Sequence, residues 1–156
     1  MPTSPRRALL LGAPALLLAG CQTDAGAPPA TGGAAAPANP AARMPPGIAV
    51  TYVGAPDCVW CRNWHAAFYS SWQASPERRQ VAWLERQVPT LNAIGRASAW
   101  PEDVRWINEE MRRRGTRIAA PAFALSEGDT LIAAGSGMNA WDRTIIPALR
   151  QRLAQA

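Results

Sequence analysis

The sequence predicts a single α/β domain with about four strands, and three observations carry that prediction. Short runs of β-branched and apolar residues alternate with stretches whose apolar residues recur every three or four positions. Two of the runs flank Glu127-Gly128-Asp129, a turn that suits an antiparallel hairpin. Residues 22–46, by contrast, are almost entirely Ala, Gly, Pro and small polar residues, which cannot bury a core. The order therefore resides in residues 47–156 of the 156-residue chain, enough for one domain.

Each element has a local reason. "GIAVTYVG" (47–54) is a β-branched run closed by Gly, as expected of a buried strand. Asp57 then opens a helix from Cys58 to about Ala74, in which Cys61, Trp64, His65, Phe68 and Trp72 share one face before Pro76 stops it. "QVAWLERQV" (80–88) places Val81, Trp83 and Glu85 at alternate positions, so a short strand is predicted, closed by Pro89. Pro101, Glu102 and Asp103 suit a first helical turn, and Val104, Ile107 and Met111 continue it as an apolar stripe towards Gly115. "APAFALSEGDTLIAAGSG" supplies the two hairpin strands. From Trp141, the residues Ile145, Ile146, Leu149 and Leu153 make a final amphipathic helix.

The N-terminus explains the odd cysteine. Arg6 and Arg7 precede an apolar run, Ala8 to Ala19, broken by Gly12 and Pro14. That run is too short and interrupted to span a membrane and reads as a secretory signal. Its end, Leu18-Ala19-Gly20-Cys21, resembles the lipobox of bacterial lipoproteins. The resemblance implies cleavage before Cys21 and a diacylglycerol thioether on it, with 1–20 as signal and 21–46 as lipidated tether. Gln22, where sorting in enteric bacteria turns on Asp, points the anchor to the outer membrane. The 25 residues from 22 to 46 reach about 75 Å when extended and about 25–30 Å as a flexible coil. Losing Arg6 and Arg7 leaves 14 arginines against 11 acids, a charge of +3 instead of +5. The one basic cluster, Arg112-Arg113-Arg114, falls at a helix end, where the dipole favours cations, and no aromatic residues interleave it. A nucleic-acid partner is not expected.

Assigning Cys21 to lipid leaves one pair, Cys58 and Cys61, in a compartment where disulfides persist. A strand, a turn and C-x-x-C at a helix start is the arrangement thiol–disulfide exchange needs. Unpaired N–H groups there stabilise a thiolate on the first cysteine, and the second lies one turn on to resolve a mixed disulfide. On this reading Cys58 is an exposed nucleophile and Cys61 a buried resolver.

Two motifs extend the pattern: "CVWC" after a strand, and "RIAAPAFAL", with Ala120-Pro121 just before the hairpin. Together they resemble the thioredoxin-like superfamily, reduced to its core, over residues 47–156. The resemblance implies a three-layer sandwich with a central mixed sheet. It also implies a cis Pro121 opposite the redox pair, and an Ala120 backbone that hydrogen-bonds substrate peptide. Departures are plain: Tyr52 stands where thioredoxins proper carry a buried acid, Asp57 replaces their Trp, and no Gly-Pro lies between the cysteines. Trp60 brings no positive charge and Asp57 opposes a thiolate, which argues against a very strong oxidant.

Other candidates weigh less. His65 shares a face with Cys58 and Cys61, but three ligands spread along one straight helix fit a metal poorly, and two turns separate His65 from Cys58, which also makes it distant as a general base there. It reads as a partly buried core histidine, and no metal site is expected. Haem attachment needs His at position 62, which is Arg. Trp64, Trp72, Trp83 and Trp106 fall on apolar faces and read as core, whereas Trp60 sits at the motif's rim to contact substrate.

The expected function is thus that of a membrane-tethered periplasmic thiol–disulfide oxidoreductase working without a cofactor, since electrons travel as dithiols. Expected partners are protein or small-molecule thiols and disulfides, the membrane through the lipid, and an electron-donating membrane protein. Two alternatives stay open: a binding or assembly lipoprotein with a structural disulfide, and a metallochaperone. A C-x-x-C loop stabilises little by loop closure, which disfavours the first.

Overall fold

The computed structural model describes residues 44–155, so the signal, Cys21 and the tether up to residue 43 lie outside the described residues. Four strands, β1 (Ile48–Gly54), β2 (Ala82–Gln87), β3 (Ala122–Glu127) and β4 (Thr130–Ser136), form one sheet in the order β2-β1-β3-β4. β1 and β2 are parallel and the other pairs antiparallel, so the sheet is mixed, as expected. β1 is central and buried from Ala49 to Gly54, which is why it reads as a continuous apolar run. β2 lies at an edge and is only half-buried. The hairpin closes through Gly128-Asp129 between the paired Glu127 and Thr130, and Gly128 takes φ 52°, a left-handed value glycine adopts at little cost.

The first helix is continuous over 59–74 but not uniform. α1 (Val59–Trp64) passes through a π-helical turn (His65–Tyr69) into α2 (Ser70–Ala74). The last helix repeats the device: α4 (Met138–Ala140), a π-helical turn (Trp141–Ile145) and α5 (Ile146–Leu153). It thus begins three residues before the expected Trp141. Between β2 and α3 (Arg105–Arg113) the chain runs through short 3₁₀ turns, the last being Glu102–Val104 where a helix opening was expected.

Strand alternation and contacts place the layers. Tyr52, Trp83 and Phe123 share one sheet face and meet Trp64 of the first helix and Trp141 of the last, with Trp64 5.1 Å from Tyr52, Phe123 and Trp141. Arg86, of opposite parity to Trp83 and Glu85, bonds Asp103 at 2.8 Å, which puts the start of the α3 segment on the other face. Helices therefore cover both faces, and the three-layer thioredoxin-like arrangement is present. Trp64 and Trp72 are buried and Trp83 and Trp106 half-buried, close to expectation, and Trp100 and Trp141 are buried as well.

Polar side chains tie the loops. Trp100 Nε1 and Asn108 Nδ2 both donate to the Ile94 carbonyl, at 2.7 and 3.2 Å, which pins the segment between β2 and α3. In the arginine cluster, Arg112 binds the Asn108 side chain and the Gly95 carbonyl, while Arg113 and Arg114 pair with Glu110. Arg150 on α5 donates to Glu77 at 2.8 Å, and this hydrogen bond lowers the carboxyl pKa below its ordinary value. A depressed carboxyl stabilises the fold above its unfolded pKa, and that contribution is lost as pH falls through the lowered value. Arg150→Gln should therefore show a shallower loss of stability on acidification below about pH 4.5, in denaturant titrations compared pH by pH. Equal acid slopes for the two proteins would refute the pairing.

Candidate redox site

Cys58 is the N-cap of α1, with extended backbone (φ −88°, ψ 109°). Its N–H donates to the Ala55 carbonyl at 3.1 Å, closing the turn that carries β1 into the helix. Its Sγ accepts the Cys61 N–H at 3.0 Å, a place usually taken by a Ser or Asp oxygen. The two cysteines are joined as a disulfide, with Cα atoms 5.2 Å apart. After reduction, the same N–H and the helix dipole face the Cys58 sulfur and favour its thiolate.

Exposure departs from expectation. Cys58 is 0 % exposed and Cys61 4 %, so Cys58 is not the exposed member of the pair. The cause is the cap itself, because a side chain that folds back over the first helical turn is turned from solvent. The intervening Val59 and Trp60 are the exposed part of the motif, at 47 % and 57 %.

Asp57 has a partner far along the chain. Its Oδ1 accepts the Leu91 N–H at 2.7 Å, tying the motif's turn to the loop after β2. Asp57→Ala should therefore cost about 1 kcal/mol of stability and speed amide exchange at Leu91. Unchanged exchange at Leu91 would show that the tie contributes nothing.

Two depressions flank the pair. A groove of about 700 Å³ runs between Trp60 and a wall that includes Arg117, Ala119, Ala120, Met138 and Asn139. The Ala120–Pro121 bond on that side is cis, as the resemblance implied. Ala119 N–H donates to Ser136 Oγ at 3.0 Å and Gly137 N–H to the Pro121 carbonyl at 2.8 Å, which fixes Ala120 between them on the groove wall. Pro121 itself is buried. The structure thus brings Trp60 and Ala120 to one groove, whereas Cys58 is part of neither lining.

The second depression, about 310 Å³, opens beside Cys61 and is lined by Tyr52, Arg62, His65 and Gln87 among others. Tyr52 pairs with Glu85 across β1 and β2, and its ring lies edge-on to His65 at 5.1 Å. Glu85 Oε1 is 3.3 Å from His65 Nε2, and Glu85 Oε2 accepts from Trp83 Nε1 at 3.4 Å. Burial, then the Glu85 charge, push the Tyr52 hydroxyl pKa well above its ordinary value, so it stays protonated. His65 is half-buried, as expected. The signal for Glu85 was present in the sequence: an acid at an inward position of the β2 alternation needs partners. Among the described residues, no three His, Cys, Asp or Glu side chains converge as a metal site.

Comparison with protein-family models and with curated proteins returns no match. Among solved structures, the chain is similar to Chlamydomonas reinhardtii thioredoxin f2, at 17 % identity and a TM-score of 0.41, over 74 % of this chain and 85 % of that one. The fold assignment rests on this chain's own topology: a mixed four-stranded sheet, helices on both faces, and a C-x-x-C disulfide at a helix start.

Proposed function

We propose that the protein is a thiol–disulfide oxidoreductase, tethered to a bacterial membrane through Cys21 and facing the periplasm. The observation that carries the redox reading is the Cys58–Cys61 disulfide capping its own helix, with Cys58 Sγ on the Cys61 N–H. Cys58 attacks a partner disulfide and Cys61 resolves the mixed disulfide. The groove between Trp60 and Ala120 receives the partner, a protein or small-molecule disulfide, and no cofactor takes part. An electron-donating membrane protein within reach of the tether re-reduces the pair. Insulin reduction by the dithiol form tests the activity, and a rate equal to that of the Cys58→Ser variant would end it.

A second reading has one observation in its favour. Cys58 is 0 % exposed, which suits a purely structural disulfide in a binding or assembly lipoprotein. Resistance of the native disulfide to dithiothreitol, with inert insulin assays, would select that reading. For the anchor, Cys21→Ser should leave the membrane fraction or accumulate unprocessed, whereas the parent chain should begin at an acylated Cys21. An unmodified N-terminus downstream of Cys21 would refute lipidation.

A further inference from the structure

Resolution of a mixed disulfide needs the Cys61 thiol to lose its proton, because only the thiolate attacks. Tyr52 cannot take that proton, since its hydroxyl stays protonated. The pocket beside Cys61 offers another acceptor. Cys61 and His65, the chain's single histidine, line the same depression. They lie four residues apart on one helical run, where side chains are neighbours at about 5–6 Å between Cβ atoms. The pocket's 310 Å³ admits bridging water. His65 is a third exposed, so it exchanges protons with bulk solvent.

We propose that His65, oriented by Glu85, accepts the Cys61 proton through the pocket and so sets the rate of resolution. This rests on the oxidoreductase reading. The Cys58 thiolate attacks a partner R–S–S–R′, forming Cys58–S–S–R and releasing R′–S⁻, which takes a proton from solvent. The Cys61 thiol passes its proton by way of pocket water to His65. Its thiolate then attacks Cys58 Sγ, the Cys58–Cys61 bond forms, the bond to R breaks, and R–S⁻ leaves to be protonated. Two electrons pass from the cysteine pair to the partner, and His65 returns its proton to bulk water.

The charged and titratable groups that face His65 come from three elements. Glu85 faces it from β2, Tyr52 from β1, and Arg62, Tyr69 and Cys61 from its own helical run. The Glu85 carboxylate and the Arg62 guanidinium bring opposite charges to the pocket, while Tyr52 stays neutral.

The test mixes the reduced full-length protein with oxidised glutathione and follows the Cys58–glutathione adduct by acid quench and mass spectrometry, from pH 5 to 9. His65→Gln should lengthen the adduct lifetime on the order of 10²-fold near pH 7, converging with the parent at high pH where hydroxide takes the Cys61 proton. Glu85→Gln should lengthen the lifetime less than His65→Gln does, because the acceptor stays while the carboxylate that orients it is gone. A uniform slowing at every pH, or an unchanged profile in His65→Gln, overturns the proton-acceptor role while leaving the exchange activity standing. If the parent forms no adduct and oxidises no thiol, the oxidoreductase reading falls, and the proton path with it.

Discussion

Cys61→Ser should accumulate partner proteins as mixed disulfides, whereas Cys58→Ser should bring exchange to background and trap almost nothing. The asymmetry follows from the helix start. Cys58 Sγ accepts the Cys61 N–H at 3.0 Å, and a serine at 61 keeps that backbone donor and the dipole behind it. The nucleophile therefore survives while the group that releases the partner is gone. In Cys58→Ser the remaining thiol sits one turn inside the helix, without the N-cap contact, beside the pocket shared with Tyr52 and His65. Non-reducing gels of cell extracts, followed by mass spectrometry of the trapped species, make the measurement. Equal trapping by both variants, or more by Cys58→Ser, would reverse the roles. The result also bears on burial, because Cys58 is 0 % exposed in the disulfide. Trapping at Cys58 requires that reduction, or partner docking beside Trp60, uncovers its sulfur, and alkylation of the reduced protein should then label Cys58 before Cys61.

What could be read beforehand divides along physical lines. β1 and the hairpin follow from β-branched runs and a Gly-Asp turn, which are local signals, and all three strands appear where the pattern places them. The cis Ala120–Pro121 bond came through the family resemblance, not through any local rule. The π-helical turns at His65–Tyr69 and Trp141–Ile145 were not legible, since an extra residue in a turn is selected by what the helix packs against. Trp100 belongs to no periodic run, and its burial depends on a loop closed by its own Nε1 on the Ile94 carbonyl. Asp57 looked like a charge beside a thiol because its partner, the Leu91 N–H, is 34 residues away in sequence. Cys58 looked exposed because spacing reveals a helix start but not which way the capping atom turns.

Trp64→Ala should be the most destabilising single change in the domain, at about 3–5 kcal/mol. Trp64 is 0 % exposed and stands where every layer of its side of the sheet converges. It touches Tyr52 on β1, Phe123 on β3, Trp83 on β2 and Trp141 on the last helix, with ring centroids 5.1 to 6.1 Å away. Truncation removes all four contacts and leaves a cavity walled by rigid rings, which collapse poorly into the space. Small domains are stable by about 5–15 kcal/mol, so the loss is a large fraction of the total. Trp64→Phe should cost far less, because a ring is retained and the buried Nε1, which has no hydrogen-bond partner among the described residues, is removed. Trp60→Ala provides the contrast: its side chain is 57 % exposed on the rim, so stability should change by no more than about 0.5 kcal/mol. Its effect should appear in the rate of exchange with protein disulfides. Urea titrations of the three variants measure the order directly. A Trp64→Ala midpoint no lower than that of Trp60→Ala would show that the aromatic cluster is not the centre of the core.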